Sequence, residues 1–476
     1  MSIKDYESVI GLEVHVELKT EHKLFCECLT AFGAPPNTQV CPVCLAMPGT
    51  LPALNRQVVE FAVKAGLAAH CAIEPWSRFD RKNYFYPDLP KAYQITQNFF
   101  PICTGGYIDV PSEDGSKRIR INRIHIEEDA GKLVHLGAEG SLVDCNRCGV
   151  PLIEIVSEPD IRTGEEAVAY LRKLRAIARY TGISDGKMNE GSLRCDVNLS
   201  LRKKGEETLG TRVELKNINS FSFVAKAIES EFKRQAAILD EGGTIIQETR
   251  RFDESTGQTY SMREKAEAAD YRYFPDTDLV PVEISQAEID RIRASIPRLA
   301  DERKAGYMEQ YGLTDYEAER LTADKELSDF FERAVAESSE PKTLVNLILA
   351  DVAPLYTEDI SEDLLNPKSL GQLADLLAAG GINSNTGRRV LKALLEEDLD
   401  PAAYIEKHDL GQINDPEKLE GAVRTALAEN ERAVRDYLGG KESAMRSLIG
   451  RVMKETGGRA NPVLAEDMIR KALENQ

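Results

Sequence analysis

Residues 9–18 read Val-Ile-Gly-Leu-Glu-Val-His-Val-Glu-Leu, an alternation that specifies a β-strand with two unlike faces. Leu12, Val14, Val16 and Leu18 fall on one face, and Glu13, His15 and Glu17 on the other. Same-side neighbours on a strand stand ~6–7 Å apart. Two carboxylates and an imidazole at that spacing either lie in water or meet a cation. A solvated edge strand is the plain alternative for one such run, but the pattern recurs. Leu193, Cys195, Val197 and Leu199 alternate with Arg194, Asp196 and Asn198; Val213 and Leu215 alternate with Arg212, Glu214 and Lys216. Residues 151–156 are apolar on both sides except for Glu154, and residues 124–129 end in three acids, Glu127, Glu128 and Asp129. A buried carboxylate is costly unless it is paired or bound to metal. One antiparallel sheet satisfies all these runs, apolar toward covering helices and lined on its other face by acids with interspersed Arg and Lys. Acids hold divalent cations and guanidinium or ammonium groups neutralise phosphate oxygens, so the expectation is a Mg-nucleotide cradle. The chain has neither a GxxxxGK[ST] loop nor a GxGxxG turn, which disfavours P-loop and Rossmann folds.

At 476 residues the chain is too long for one ordinary core, and two or three domains are expected. No apolar run is long enough to span a bilayer, and the first residues have neither an apolar signal core nor Arg-rich transit character. A cytoplasmic protein is the expectation. The formal net charge of -19 opposes broad nucleic-acid binding, so any such partner must meet a local basic patch or a separate protein of the same assembly.

Nine cysteines in a cytosolic chain of this size do not indicate a disulfide framework. Four are grouped: Cys26 and Cys28, then Cys41 and Cys44 around Pro42-Val43. Two close thiolate pairs across a short loop match a closed tetrahedral zinc site, against unligated thiols or a redox pair. Cys145 and Cys148 have CxxC spacing without a second pair and stay unassigned. Cys71, Cys103 and Cys195 read as core or edge residues.

Residues 1–285 mix strands, turns and a few helices, one after the capping signal Thr163-Gly164-Glu165-Glu166 and one after Asn219-Ser220. From Ser285 the texture turns helical, with capping boxes at Ser285 and Thr314. This predicts a helical domain over 286–408 and a small helical tail over 409–476, whose first two helices run from Asp415 to Gly440 and from Lys441 to Thr456. In the tail, Lys441, Arg446, Arg451, Lys454 and Arg459 outnumber nearby acids, which marks an RNA-facing surface or a solvated helix face. Residues 81–88 (RKNYFYPD) and 271–276 (YRYFPD) echo each other. Such a mix of rings and cations can stack bases, frame a nucleotide, meet a partner protein, or simply pack on the core.

Taken in order, the segments 10–18, 81–88, 127–132, 153–160 and 271–275 resemble GatB, the kinase half of the tRNA-dependent amidotransferases, and the resemblance extends over essentially the whole chain. It implies an α+β architecture: a glutamine-synthetase-like antiparallel-sheet cradle over 1–285, then the helical domain and a tRNA-gripping tail. It also implies an ATP-dependent ligase that converts Glu-tRNA(Gln) to Gln-tRNA(Gln), or Asp-tRNA(Asn) to Asn-tRNA(Asn). The working enzyme would be a heterotrimer. An amidase subunit would release ammonia from glutamine, and a small third subunit would clasp the two. The related archaeal GatE proteins carry an inserted domain for which no segment is found here.

By this resemblance Glu13, His15, Glu128 and Glu154 sit at the Mg2+ site, and Lys82 lies near the ammonia exit. His is an atypical Mg ligand, so His15 either acts from behind the ligands or favours manganese. Asp196 and Glu214 are added from the neighbouring acidic faces, with Arg81, Arg212, Lys216 and Arg272 on the ATP and substrate side. Cys26, Cys28, Cys41 and Cys44 are expected to hold structural Zn2+; Arg446, Arg451, Lys454 and Arg459 are expected to meet tRNA. Two competing readings are a non-catalytic tRNA-binding scaffold and a free-standing ligase acting on a small amino acid. A scaffold has no need of Glu154 inside an apolar strand, and a free-standing ligase has no need of a basic tail.

Overall fold

The computed structural model describes residues 5–112, 115–137, 140–264, 270–355 and 365–474. It divides into two compact units, 1–300 and 301–476.

In the first unit, the strand Tyr6–Glu17 lies inside a ten-stranded sheet, paired with Leu193–Lys203 on one side and Pro151–Ser157 on the other. Beyond Pro151–Ser157 come Gly115–Glu128, Cys103–Thr104 and Ala72–Ile73; Tyr107–Ser112 also pairs with Gly115–Glu128. Beyond Leu193–Lys203 come Val213–Lys216, Glu248–Asp253 and Gln258–Glu264. Pairing is antiparallel throughout these strands except between Val213–Lys216 and Glu248–Asp253, which run parallel. The helix Phe221–Asp240 makes the crossover that a parallel connection requires.

The alternation of the first strand is realised residue by residue. Leu12, Val14 and Val16 are buried in a core that also takes Val58 and Ala62 from Arg56–Ala68, Leu171 and Leu174 from Gly164–Tyr180, and Val224 and Ile228 from Phe221–Asp240. Burying each aliphatic side chain contributes roughly 1.5–3 kcal/mol. This one-sided apolar demand fixes the register, because a slip of one residue would drive Glu13, His15 and Glu17 into the helices. Thr163 and Ser220 cap the two longer helices, each accepting a bond from the third backbone N–H.

A smaller sheet joins Trp76–Asn83 to Tyr93–Phe100, Phe274–Pro275 and Val282–Glu283. The helix Gln286–Ala294 belongs to this first unit, not to the helical domain expected to begin at 286. Its Ile289 and Ile292 enter the first core, and Glu288 and Arg291 pair with Arg56 and Glu60. The capping box at Ser285 is present, but it starts a helix of the cradle.

The second unit is helical and contains two separate cores. One runs from Tyr307 to Leu410, and the other is built from Leu419, Val423, Leu448, Val452, Ile469 and their neighbours. The long helix expected from Asp415 is broken at Asn430 into Pro416–Glu429 and Glu431–Leu438.

Candidate functional site

The pleat carries Glu13, His15 and Glu17 to the face opposite the helices, and the antiparallel registers decide what stands beside them. His15 is opposite Glu154 on one neighbour and Arg194 on the other; Glu154 is in turn opposite His125. Glu13 is opposite Asp196, and Asn198, one pleat on, is opposite Glu214. Two ligand clusters result. His15, Glu127 and Glu154 can each offer an atom within 4.8 Å of the others, and so can Glu13, Asp196 and Glu214.

The first cluster is held by imidazoles. His15 Nε2 stands 3.6 Å from Glu127 and 3.5 Å from Glu154, while His125 Nε2 stands 3.7 Å and 3.5 Å from the same two carboxylates. Burial disfavours the charged form of His125, but Glu154 and Glu127 outweigh it and lift its pKa to about 9. Burial acts against the Glu154 charge too, yet His125 and His15 hold its carboxyl well below the usual range. In the second cluster the balance reverses. Burial, then the charges of Glu154, Asp196 and Glu214, push the Glu13 carboxyl up despite a 2.9 Å bond from Asn198. Lys216 pairs with Asp196 and lies 3.4 Å from Glu214. A carboxylate cluster short of positive charge, made of hard oxygen donors, suits a divalent cation. The mixed His-carboxylate cluster also admits a softer ion such as manganese.

Glu128 does not join these ligands. Its carboxylate accepts the Ile95 backbone N–H at 2.9 Å and pairs with Lys91 at 2.5 Å, and it is buried. Glu127 takes the expected place. Glu128 shares parity with the buried Ile124 and Ile126, whereas His125 and Glu127 point to the acid-lined face. Alternation within residues 124–128 is the signal that identifies Glu127.

Lys82 sits above the cluster, its Nζ 5.1 Å from the Tyr271 ring centre and 5.9 Å from that of Tyr84. Burial works against its charge, but Glu127, Tyr273 and Glu154 hold its pKa above the ordinary lysine value. The two echoing aromatic segments therefore come together: Phe274 is in register with Arg81, and Tyr84 and Tyr273 both make edge contacts with Tyr271. Arg81 is not free to meet a phosphate. Its guanidinium binds Asp276 and Asp278, each at 2.8 Å, and lies 4.4 Å over Tyr93, so it clamps the two segments. Arg272 is exposed with a left-handed backbone, φ 46°, outside both clusters.

Two further groups were not singled out as site residues from sequence. Arg194 pairs with Asp129 and stands 3.6 Å from Glu17, whose carboxyl burial and Asp129 push up to about 8. Beside Glu13, a cavity of about 250 Å³ is lined by Val9, Gly11, Val156, Pro159, Leu209 and Arg212, among others.

Cys26, Cys28, Cys41 and Cys44 converge within 4.8 Å. A hydrogen bond from Cys26 leads in drawing the Cys44 thiol down to about 4 against its burial, and the Cys41 backbone N–H, 3.2 Å away, adds to it. Four converging sulfurs fit a closed tetrahedral zinc site. In the tail, Arg446 and Lys454 are exposed, but Arg451 is held by Glu429 and Glu455, and Arg459 by Asp409. Among the described residues, no helix is long and apolar enough to cross a membrane.

Residues 8–290 match the family model described as the GatB/GatE catalytic domain, and residues 329–473 match the one described as the GatB domain. The chain is 51% identical over 471 residues to the B subunit of the aspartyl/glutamyl-tRNA(Asn/Gln) amidotransferase of Caldanaerobacter subterraneus subsp. tengcongensis, covering 98% of this chain and 99% of that one. The proteins of the same description from Carboxydothermus hydrogenoformans and Geobacter sulfurreducens are each 50% identical, over 478 and 477 residues, with 99% and 98% of this chain covered and 99% of each relative. With its sheet unit and its helical unit both matched, and relatives aligned nearly end to end, the chain belongs to the GatB family.

Proposed function

We propose that this chain is the ATP-consuming component of a cytoplasmic amidotransferase that converts Glu-tRNA(Gln), Asp-tRNA(Asn) or both to the amidated forms. The observation that carries this reading is the pair of ligand clusters on one sheet face, one short of positive charge. A non-catalytic scaffold has no use for so many half-buried acids gathered on one face.

The chemical problem is the leaving group. A carboxylate oxygen will not leave under attack by ammonia. Transfer of the γ-phosphoryl group of ATP to the side-chain carboxylate forms a mixed anhydride with release of ADP. Ammonia then attacks the carbonyl carbon, the C–O bond to phosphate breaks, and inorganic phosphate departs as the amide forms. Such a transfer depends on alignment and charge neutralisation, not on a protein nucleophile.

Glu13, Asp196 and Glu214 hold one divalent cation in this reading, and His15, Glu127 and Glu154 a second. Bound Mg2+ supplies positive charge to the phosphate oxygens. Lys216, Arg212 and Arg194 add fixed cations around the same face, and the cavity walled by Val9, Val156, Pro159 and Leu209 takes the nucleotide base. Lys82, held over the tyrosine rings and pinned by the Glu127 and Glu154 charges, lines the ammonia approach. The four cysteines hold structural zinc away from these acids. Ammonia comes from an amidase subunit, and a small third subunit joins the two into a heterotrimer. In the tail, the exposed cations Arg446 and Lys454 contact the tRNA backbone.

The test is ADP formation by the purified chain with its partner proteins, measured with and without Glu-tRNA(Gln) or Asp-tRNA(Asn). ATP cleavage that needs the charged tRNA and a divalent cation supports the reading. Tight tRNA binding without any ATP turnover in the assembled enzyme would establish the scaffold instead.

A further inference from the structure

Lys23 is fully buried, with no exposed surface, yet it carries an ammonium group. Burying an unpaired charge costs several kcal/mol, so such a group needs a counter-charge. Among the described residues no carboxylate forms an ion pair with it. Its Nζ is shared among three acceptors: the Gln39 carbonyl at 2.8 Å, the Cys145 carbonyl at 3.5 Å and the Cys44 Sγ at 3.7 Å. Two are neutral carbonyls. The third is a sulfur of the cysteine quartet, and Gln39 lies in the loop between its two cysteine pairs.

The quartet has the complementary need. A zinc ion bound by four thiolates is a dianion of about two units of charge, and Cys44 is itself buried. We propose that Lys23 is the built-in counter-charge of the tetrathiolate metal site, and that it sets how tightly zinc is held. This rests on the zinc reading of the quartet given above. Each charge makes the burial of the other tolerable, so neither is expected to persist alone. Lys23 also ties the two halves of the surroundings together. The loop before Cys41 docks on the turn that carries Cys145, through Gln39 N–H to Asn146 at 2.8 Å and Asn37 to the Cys145 N–H at 2.7 Å. The ammonium bonds a carbonyl from each side of that junction.

The test measures zinc directly. The full-length wild-type chain and Lys23→Met are purified without chelator, their zinc content is determined, and a colorimetric chelator is then titrated in. The expected wild-type result is one zinc per chain. Lys23→Met keeps the stem and loses the charge, and it should release zinc at roughly tenfold lower chelator concentration or less, the scale of losses seen when groups behind metal ligands are removed. Equal retention by both proteins overturns the role of Lys23. A wild-type chain without zinc overturns the metal reading itself, a different result on the same measurement. Lys23→Met combined with Cys41→His covers the case in which the single variant fails to fold. Exchanging one thiolate for a neutral imidazole lowers the anionic charge that Lys23 balances. The double variant should therefore regain folding and zinc retention relative to Lys23→Met; no gain overturns the proposal.

Discussion

Neighbouring acids Glu127 and Glu128 should fail in opposite ways when each is changed to Gln. Glu127 faces His15, Glu154 and Lys82, and in the proposed function its charge helps hold a divalent cation. Removing one charge that stabilises a transferring phosphoryl group typically costs about 2.7–4 kcal/mol of barrier, or roughly 10²–10³ in rate. Glu127→Gln should lose that much tRNA-dependent ADP formation. It should lose less stability than turnover, because Glu154 remains as a counter-charge to His125 and Lys82 and the amide still fills the space. Glu128 instead satisfies the Ile95 N–H and the Lys91 ammonium, the latter only 17% exposed. Glu128→Gln keeps an acceptor for Ile95 but leaves Lys91 without its counter-charge, at a cost of about 1–3 kcal/mol. Its turnover at saturating Mg2+ should fall less than tenfold at a temperature where the variant is folded. The assay is ADP release by the assembled enzyme with charged tRNA, alongside thermal unfolding of each variant. A Glu128→Gln enzyme that unfolds normally but barely turns over, beside an active Glu127→Gln enzyme, would refute the assignment made from strand parity.

Three other outcomes are expected. The His125 pKa is raised to about 9 from an unfolded value near 6.5, so its stabilising contribution is fully present below about pH 6.5 and is lost as pH rises through about 9. Chelator-treated wild type should therefore lose up to roughly 3 kcal/mol across that window relative to His125→Asn, and parallel unfolding curves for the two would remove the imidazolium from the cluster. Replacing Arg446 and Lys454 together by Ala should weaken tRNA binding and flatten its salt dependence by about one unit of slope per lost phosphate contact, whereas Arg451→Ala should mainly lower stability; filter-binding at several salt concentrations separates them. Arg81→Lys should lower stability and activity together, since one ammonium cannot bridge Asp276 and Asp278 as the guanidinium fork does, and an unchanged melting point would contradict the clamp.

Much of this was legible because a strand writes its two faces into every second residue. Residues 9–18, 193–199 and 213–216 each carry in their alternation the core side and the acid side that the structure shows, whereas the meeting of Glu13, Asp196 and Glu214 across three strands comes from the registers. Capping residues were equally readable: Thr163, Ser220, Ser285 and Thr314 all cap helices. What sequence did not reveal depends on partners distant in the chain. Arg81 finds Asp276 and Asp278 nearly two hundred positions away, and Arg451 finds Glu429 twenty-two positions away. No local pattern distinguishes a clamped arginine from one waiting for phosphate. The break at Asn430 was hidden for a related reason: the helical pattern continues on both sides, while only the backbone turn at that residue separates them.

Strand parity within residues 124–128 separates Glu127 from the Glu128 that the family resemblance implies. The strand Gly115–Glu128 carries a register shift between its pairings with Val156 and Ser157, so parity counted from its start does not carry to its end. Counted from Ile124 and Ile126, which are buried on the helix side, the assignment is fixed: an acid two residues from His125 faces His15 and Glu154, and an acid two residues from Ile126 does not. One irregularity thus places Glu127 beside His15 and frees Glu128 to anchor the Tyr93–Phe100 strand through Ile95. Two adjacent carboxylates therefore face opposite ways, Glu127 toward His15 and Glu154, and Glu128 toward the strand pair that carries Lys82 over them.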